Sequence, residues 1–400
     1  MKQKMSDATK LSCLMMFTYM VSYITRINYG AVISDMVVKE NMLKSTLSLA
    51  VTGSFITYGI GQLISGYMGD KYEPKKLVFW GLLVTSVMNL LIPLCSSPLQ
   101  MLFVWCINGL AQSFMWPPIV KIMTAKMNDR EYQEGAVIVS WGSSFGTILI
   151  YLLAPLVIKL SGWRSVFFLS SLCGILMLII WHFKCPEVKE SKNITKPTIQ
   201  IEDSSFNMFS PLMIGIMVAI VMQGILRDGV TTWMPSYISE TYKLGTEISI
   251  LTGVILPVFS IASYKVTHSV YAKTVKNPML LAGMIFALGI VSAAFLLLVT
   301  GKFAGLSVLL SAVLIGAMHG VNFMLIGIVP LSFKKYGNVS FASGLLNCCT
   351  YVGSAVSTYG IAKISELTNW NVILILWTLV ASIGTLVCFM SVKSWKKKFM

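Results

Sequence analysis

Two arginines, Arg26 and Arg227, each sit inside a long apolar run, and they carry the clearest chemistry in the chain. A guanidinium stays protonated and offers a rigid fork of N–H donors that matches the oxygens of a phosphate or carboxylate. Placing one at the centre of a bilayer helix costs about 2.5 to 3.5 kcal/mol on insertion scales. The only other arginines, Arg130 and Arg164, lie at the ends of apolar segments. Two such costs in a chain that otherwise avoids them point to an anion site.

The neighbours of the two arginines extend that reading. Tyr19, Tyr23 and Arg26 follow one another at i, i+4 and i+7, one face of a helix. Gln223 precedes Arg227 by one turn, Tyr58 and Gln62 form a similar pair, and so do Asn347, Tyr351 and Ser354. Polar side chains so spaced either line a cavity or bond between helices, at about 0.6 kcal/mol for each such bond. Asp228 directly follows Arg227. Successive helix residues diverge by about 100°, so Asp228 is expected off the arginine's face. It reads either as a protonatable coupling group or as local charge balance. His319 is the one histidine deep in a segment and could bind substrate, carry a proton or bond to another helix.

The elements that must position these residues are membrane helices. With 56% hydrophobic and 12% charged residues and a mean hydropathy of +0.75, the chain excludes a soluble globule of ordinary composition. Runs of about 20 apolar residues span a bilayer core. They recur at 11–35, 46–68, 77–96, 99–124, 136–159, 164–184, 210–238, 247–267, 278–299, 304–331, 340–362 and 371–392. The expectation is an all-helical membrane protein with twelve transmembrane helices. Lysines crowd the loops that share a side with both termini, such as Lys71, Lys75 and Lys76, or Lys184, Lys189, Lys192 and Lys196. The positive-inside rule therefore places both termini in the cytoplasm. The net charge of +15 is then a topogenic signal and not a sign of nucleic acid. The eight cysteines have no metal-ligand spacing and read as small core residues. The apolar N-terminal stretch has no cleavage pattern and is expected to be a retained first helix.

A polar stretch from Pro186 divides the chain, giving an N-terminal six-helix half at 1–185, a cytoplasmic linker at 186–208 and a C-terminal half at 209–400. Arg26 and Arg227 fall at similar depth in the opening helix of each half. That is the pattern of a duplicated 6+6 transporter, with a site near the midplane where the halves meet. Phe114-Met115 and Phe323-Met324 echo the duplication weakly. Gly142 and Gly146, with small-xxx-small spacing, together with Pro117-Pro118, Pro235 and Pro257, fit closely packed or moving helices. The glycosylation sequons at Asn193 and Asn338 fall on the expected cytoplasmic side and carry no meaning there.

After the second segment the chain reads Gly66-Tyr67-Met68-Gly69-Asp70-Lys71-Tyr72-Glu73-Pro74-Lys75-Lys76. This resembles the signature loop of the major facilitator superfamily, with Glu73 in place of an expected glycine. The resemblance implies a 6+6 pseudo-symmetric fold and a conformational latch formed by Gly66, Asp70, Lys71, Lys75 and Lys76. Tyr23-Ile24-Thr25-Arg26-Ile27-Asn28, Tyr58-Gly59, Met115-Trp116-Pro117-Pro118 and Leu226-Arg227-Asp228-Gly229 with Trp233-Met234-Pro235-Ser236-Tyr237 resemble the organophosphate:phosphate antiporters. That resemblance implies that Arg26 and Arg227 bind a phosphate group, with Tyr19 and Tyr23 near the site. Where the glycerol-phosphate members carry a lysine and a histidine, this chain has Gln62 and Ser144. The loss of those auxiliary charges leaves room for an organic carboxylate.

The expected function is therefore secondary active transport of a small organic anion, a phosphate ester exchanged for inorganic phosphate by alternating access. Substrate-binding residues are expected to be Arg26, Arg227, Tyr23, Tyr19, Tyr58, Gln62, Ser144, Asn347, Tyr351 and His319, with Asp228 as coupling candidate. If each arginine lacks a full counter-charge, two guanidiniums about 10 Å apart repel by about 1.7 kcal/mol at an effective dielectric near 20. An empty site would then resist closure, which favours exchange. The alternatives are a proton-coupled carboxylate symporter, with a proton in place of phosphate as coupling partner, and a transporter-like membrane sensor. The chain is expected to be a monomer in the cell membrane with the lipid bilayer as its surroundings. No cofactor, metal, nucleic-acid partner or enzyme activity is expected.

Overall fold

The computed structural model describes residues 7–187, 210–329, 332 and 339–400. Most of the linker read from the sequence, the sequon at Asn193, Asn338 of the second sequon, Lys334 and Lys335 lie outside the described residues. Helices account for nearly everything described, and no strand occurs among those residues. They are α1 (Asp7–Glu40), α2 (Lys44–Lys71), α3 (Pro74–Leu91), α4 (Pro98–Gln112), α5 (Trp116–Lys126), α6 (Asp129–Ser161) and α7 (Trp163–Lys184). They continue with α8 (Pro211–Tyr242), α9 (Thr246–Thr252), α10 (Ile255–Lys273), α11 (Pro278–Val299), α12 (Ala304–Asn322), α13 (Val339–Leu367) and α14 (Trp370–Phe399).

Two expected spans are each built from two helices. The fourth breaks between α4 and α5, where Pro117 and Pro118 enter the first turn of α5 and cannot donate to the preceding turn. The eighth breaks at Gly253 between α9 and α10. Among the described residues, nine helical stretches are long and apolar enough to cross a bilayer. Ends are set by local chemistry. Ser97 with Gln100, and Asn128 with Glu131, form reciprocal caps that satisfy the first free N–H groups of α4 and α6. Gly162, at φ +80°, supplies the left-handed residue that ends α6 one residue before α7 begins.

The chain divides into two compact units, Met1–Met42 with Leu49–Lys192, and Leu43–Ser48 with Asn193–Met400. In the first unit α1 packs on α6 and α7, and α3 packs on α7 and α4. A cluster of Met15, Val78, Met115, Ile119, Met123 and Trp181 fills one part of its interior. In the second unit α8 packs on α13, α14 and α12, while α11 packs on α14 and α12.

Glycines set the closest crossings. A Cβ on Gly142 or Gly146 would lie 2.4 Å from the carbonyl oxygens of Met16 and Met20, so the small-residue spacing read from the sequence marks backbone-to-backbone contact of α6 with α1. Gly224 and Gly353 do the same for α8 and α13, at 2.1 Å from Thr350 O and 2.2 Å from Val221 O.

Candidate functional site

Arg26 lies midway along α1, partly buried, and its surroundings in the first unit are aromatic. Its guanidinium stands over the ring of Tyr23 at 4.1 Å and over that of Tyr58 at 4.9 Å. Tyr19 meets Tyr23 edge to face at 5.1 Å and also packs on Trp116. The negative ring faces hold the cation without supplying a formal counter-charge, each contact contributing about 0.5 to 2 kcal/mol. Tyr19, Tyr23 and Tyr58 thus come together around Arg26 as the spacing suggested. Gln62 is buried and donates to the Ser113 carbonyl at 3.4 Å, so its amide group is committed to the break between α4 and α5. Ser144 is buried on α6.

Behind Arg26 lies a polar network that the sequence reading did not assemble. Gln112 Nε2 donates to the hydroxyls of Thr25 (2.9 Å) and Thr85 (2.8 Å), and Gln112 Oε1 accepts from Ser22 (2.7 Å). Thr85 donates to Asn108 Oδ1. The Thr25 carbonyl accepts from Asn89 (3.0 Å) and Asn108 (3.3 Å), while Asn28 donates to Asn89 Oδ1 at 2.7 Å. All seven side chains are buried. They lock α1, α3 and α4 to one another at the residue next to Arg26, and so fix where its side chain starts. The signal available in the sequence was the one-turn spacing of Thr85 with Asn89 and of Asn108 with Gln112. Neither pair names its partner helix.

Arg227, on α8 in the second unit, has a different setting. Its Nε donates to Asp228 Oδ1 at 2.8 Å and its terminal nitrogen to Asp228 Oδ2 at 2.7 Å, a two-pronged ion pair. This is the local charge balance that was one reading of Asp228: the two side chains span the 100° between adjacent positions. The expectation that Arg227 lacks a full counter-charge is corrected. Ser354 of α13 donates to Asp228 Oδ2, and the Tyr351 ring lies 5.8 Å from the guanidinium. Asn347 sits half-buried one turn before Tyr351.

Gln223, one turn before Arg227, donates to Met318 O on α12 at 3.0 Å, and its Oε1 is buried with no partner among the described residues. His319 packs against Tyr264 and places Nδ1 3.1 Å from the Ser260 hydroxyl and 3.0 Å from the Ile315 carbonyl. It thereby ties α12 to α10, the inter-helix bond that stood beside substrate binding as its reading.

Of the expected latch, Gly66, Asp70 and Lys71 are described only as part of α2, and the side chains of the last two lie outside the described residues. Lys76 pairs with Glu73 at 3.1 Å, and the Lys75 carbonyl accepts from Trp181 at 3.0 Å. At the far end of α1, beyond the apolar part, Glu40 accepts from Trp163 Nε1 and from Arg164. Those bonds, with the arginine's charge, hold its carboxyl below the usual range.

A family model described as Major Facilitator Superfamily matches residues 15–358. A "Probable hexose phosphate transport protein" of Chlamydia muridarum is 30% identical over 41% of the chain, a match that spans only 36% of that relative's own length. The "Membrane sensor protein UhpC" of Salmonella typhimurium is 20% identical over 88% of the chain and 84% of its own. The "Glycerol-3-phosphate transporter" of Bacillus subtilis is 23% identical over 87% of the chain and 84% of its own. A solved bacterial homologue of the human lysosomal transporter Spinster superposes with a TM-score of 0.82, covering 99% of each chain at 12% identity.

Proposed function

Since the chain belongs to the major facilitator superfamily, we propose that it is a secondary active transporter carrying a small organic anion, a phosphate ester first of all, by alternating access. The observation that carries the reading is that the opening helix of each unit holds one partly buried arginine, set against ring faces in one case and a carboxylate in the other. Neither arrangement serves packing as well as an apolar side chain would. Both suit a cation kept ready for an oxyanion. Relatives named for hexose phosphate and glycerol 3-phosphate support phosphate esters as the substrate class. Arg26 and Arg227 bind the anion, with Tyr19, Tyr23 and Tyr58 shaping the first arginine's surroundings and Tyr351 and Asn347 those of the second. Asp70, Lys71, Lys75 and Lys76 serve as the latch. The protein works as a monomer in the cell membrane with both termini cytoplasmic.

Exchange for inorganic phosphate is the coupling that the antiporter resemblance implies. Asp228 matches the charge of Arg227, so repulsion between two uncompensated guanidiniums does not carry the case for exchange. Proton-coupled uptake therefore stands beside exchange. Reconstituted vesicles separate the two. Exchange requires phosphate or ester inside the vesicle, whereas proton coupling gives net uptake into empty vesicles when the outside is made acidic.

A sensor that binds the same anion without moving it is the second reading, favoured by the match to a sensor protein along most of the chain. Binding of a hexose phosphate with no flux under any gradient would establish it. Absence of binding that depends on Arg26 and Arg227 would remove both readings.

A further inference from the structure

We propose that Asp228 is a resident counter-anion of Arg227 that the incoming substrate displaces, and that the displaced carboxyl takes up one proton as the anion binds. This rests on the anion-binding role of Arg227 given above. It adds where the proton goes and which bonds it exchanges.

Asp228 occupies Arg227 Nε and one terminal nitrogen with both of its oxygens. That is the two-pronged mode in which a phosphate or carboxylate ligand would be held. An anion that binds Arg227 through those same N–H groups competes with Asp228 and expels the carboxylate. The side chains of the pair are only 14% and 16% exposed. An expelled carboxylate would keep its charge in a poorly hydrated place with its cation given to another anion, a state that burial disfavours strongly. Taking a proton from water removes that charge. Two N–H···O bonds to Asp228 break, two form to the ligand, and one O–H bond forms on Asp228. The net charge of the site is then unchanged when a singly charged anion enters.

Ser354 is built to serve both states. Its hydroxyl is fully buried and stands within hydrogen-bond reach of Asp228 Oδ2 and of the Thr350 carbonyl, at 3.0 Å from the latter. A hydroxyl has one proton to donate. It can donate to an ionised Asp228, or turn to Thr350 O and accept from a protonated one. No other group need move.

Arg227 is the ion-pair partner of Asp228 on α8. From α13 come Ser354 and the Tyr351 ring, with Tyr359, Lys363 and Glu366 further along that helix, and from α12 comes His319, which lies within electrostatic reach of both members of the pair. The remaining helices packed on α8 carry Cys388 and the terminal lysines Lys393 and Lys396 to Lys398 on α14, and Glu247 on α9. Arg227 is thus the cation bonded to Asp228, and its loss to a ligand is what calls in a proton.

The test uses the full-length protein in detergent with a hexose phosphate as probe, at pH 8, where the ester is almost wholly dianionic. Protons taken up per ligand bound are read with a pH dye in weak buffer, for the wild type and for Asp228→Asn. The difference between the two cancels the ligand's own titration. The expected result is about one proton more for the wild type, and an affinity that falls by about tenfold more per pH unit than in Asp228→Asn above the pH where Asp228 ionises. Asp228→Glu restores the uptake and the slope, which a merely structural loss would not explain. Equal proton counts and equal slopes in the wild type and Asp228→Asn would overturn the proposal while leaving anion binding intact. If no variant binds the ester, the anion reading itself falls.

Discussion

Replacing Gly224 by alanine tests whether the Arg227 site depends on how closely α8 approaches α13. The new Cβ would sit 2.1 Å from the Thr350 carbonyl oxygen, with Thr350 C and Cα at 3.0 and 3.3 Å, all of them backbone atoms that cannot rotate away. Reaching even 3.0 Å requires the helices to part locally by about 0.9 Å. Overpacking of this kind costs about 1 to 3 kcal/mol, and a contact against backbone belongs at the upper end. Gly360, on the same α13, meets nothing within 4 Å. Gly360→Ala should therefore gain up to about 1 kcal/mol from helix propensity alone. The two variants should differ by about 2 to 4 kcal/mol in thermal unfolding followed by tryptophan fluorescence. The displacement also falls one turn from the bond between Ser354 and Asp228, so Gly224→Ala should weaken hexose phosphate binding while Gly360→Ala leaves it unchanged. Equal melting of the two variants would refute the inference that the crossing is set by the missing side chain.

Removing a ring from the first arginine's surroundings by Tyr58→Leu should reduce hexose phosphate affinity by about 2- to 30-fold, the range of one cation–π contact. Tyr58→Phe keeps the ring face and should keep the affinity, as isothermal titration can show. Gln112→Leu takes from the Ser22 hydroxyl its acceptor and from the Thr25 and Thr85 hydroxyls a donor and should destabilise the protein by about 1 to 3 kcal/mol in thermal unfolding. Glu40 has its carboxyl held low by Trp163 and Arg164. Its contribution to stability is thus complete above the ordinary value of 4.5 and fades as the pH falls through the lowered one. Acid unfolding of the wild type and Glu40→Gln should accordingly converge at low pH and separate above about pH 5.

Most of the fold was legible because bilayer physics leaves few choices. A run of about 20 apolar residues must satisfy its own backbone, and a helix is the way to do so. The exceptions are informative. The breaks at Trp116-Pro117-Pro118 and at Gly253 lie inside apolar runs, so hydropathy joined what the backbone divides. The tyrosines around Arg26 were legible from spacing, because Tyr19, Tyr23 and Arg26 share one helix face. The pairing of Asp228 with Arg227 was legible only as one of two readings, local charge balance beside a coupling role. Helix rotation sets where a side chain begins, whereas an arginine's reach sets where it ends. The network of Thr25, Asn89, Asn108 and Gln112 escaped for a third reason. Its members come from three helices, α1, α3 and α4, and only three-dimensional packing brings the four together.

The two units share a frame but not a site. In each, the opening helix ends at a left-handed residue, Asn41 at φ 49° after Glu40 and Lys243 at φ 54° after Tyr242. In each, a glutamate near that end accepts from the indole of the tryptophan that begins the sixth span, Glu40 from Trp163 and Glu240 from Trp370. A cation completes both clusters, Arg164 for Glu40 and Lys44 for Glu240. The frame was therefore duplicated in detail, down to an indole hydrogen bond. Against it the arginines diverge, one facing tyrosine rings and the other a carboxylate. Backbone packing does not demand that difference, since the crossings of α1 with α6 and of α8 with α13 are both set by glycine against carbonyl. What it changes is electrostatic. Arg26 stands over ring quadrupoles, whereas two N–H groups of Arg227 are taken by a carboxylate that an oxyanion binding through them must displace.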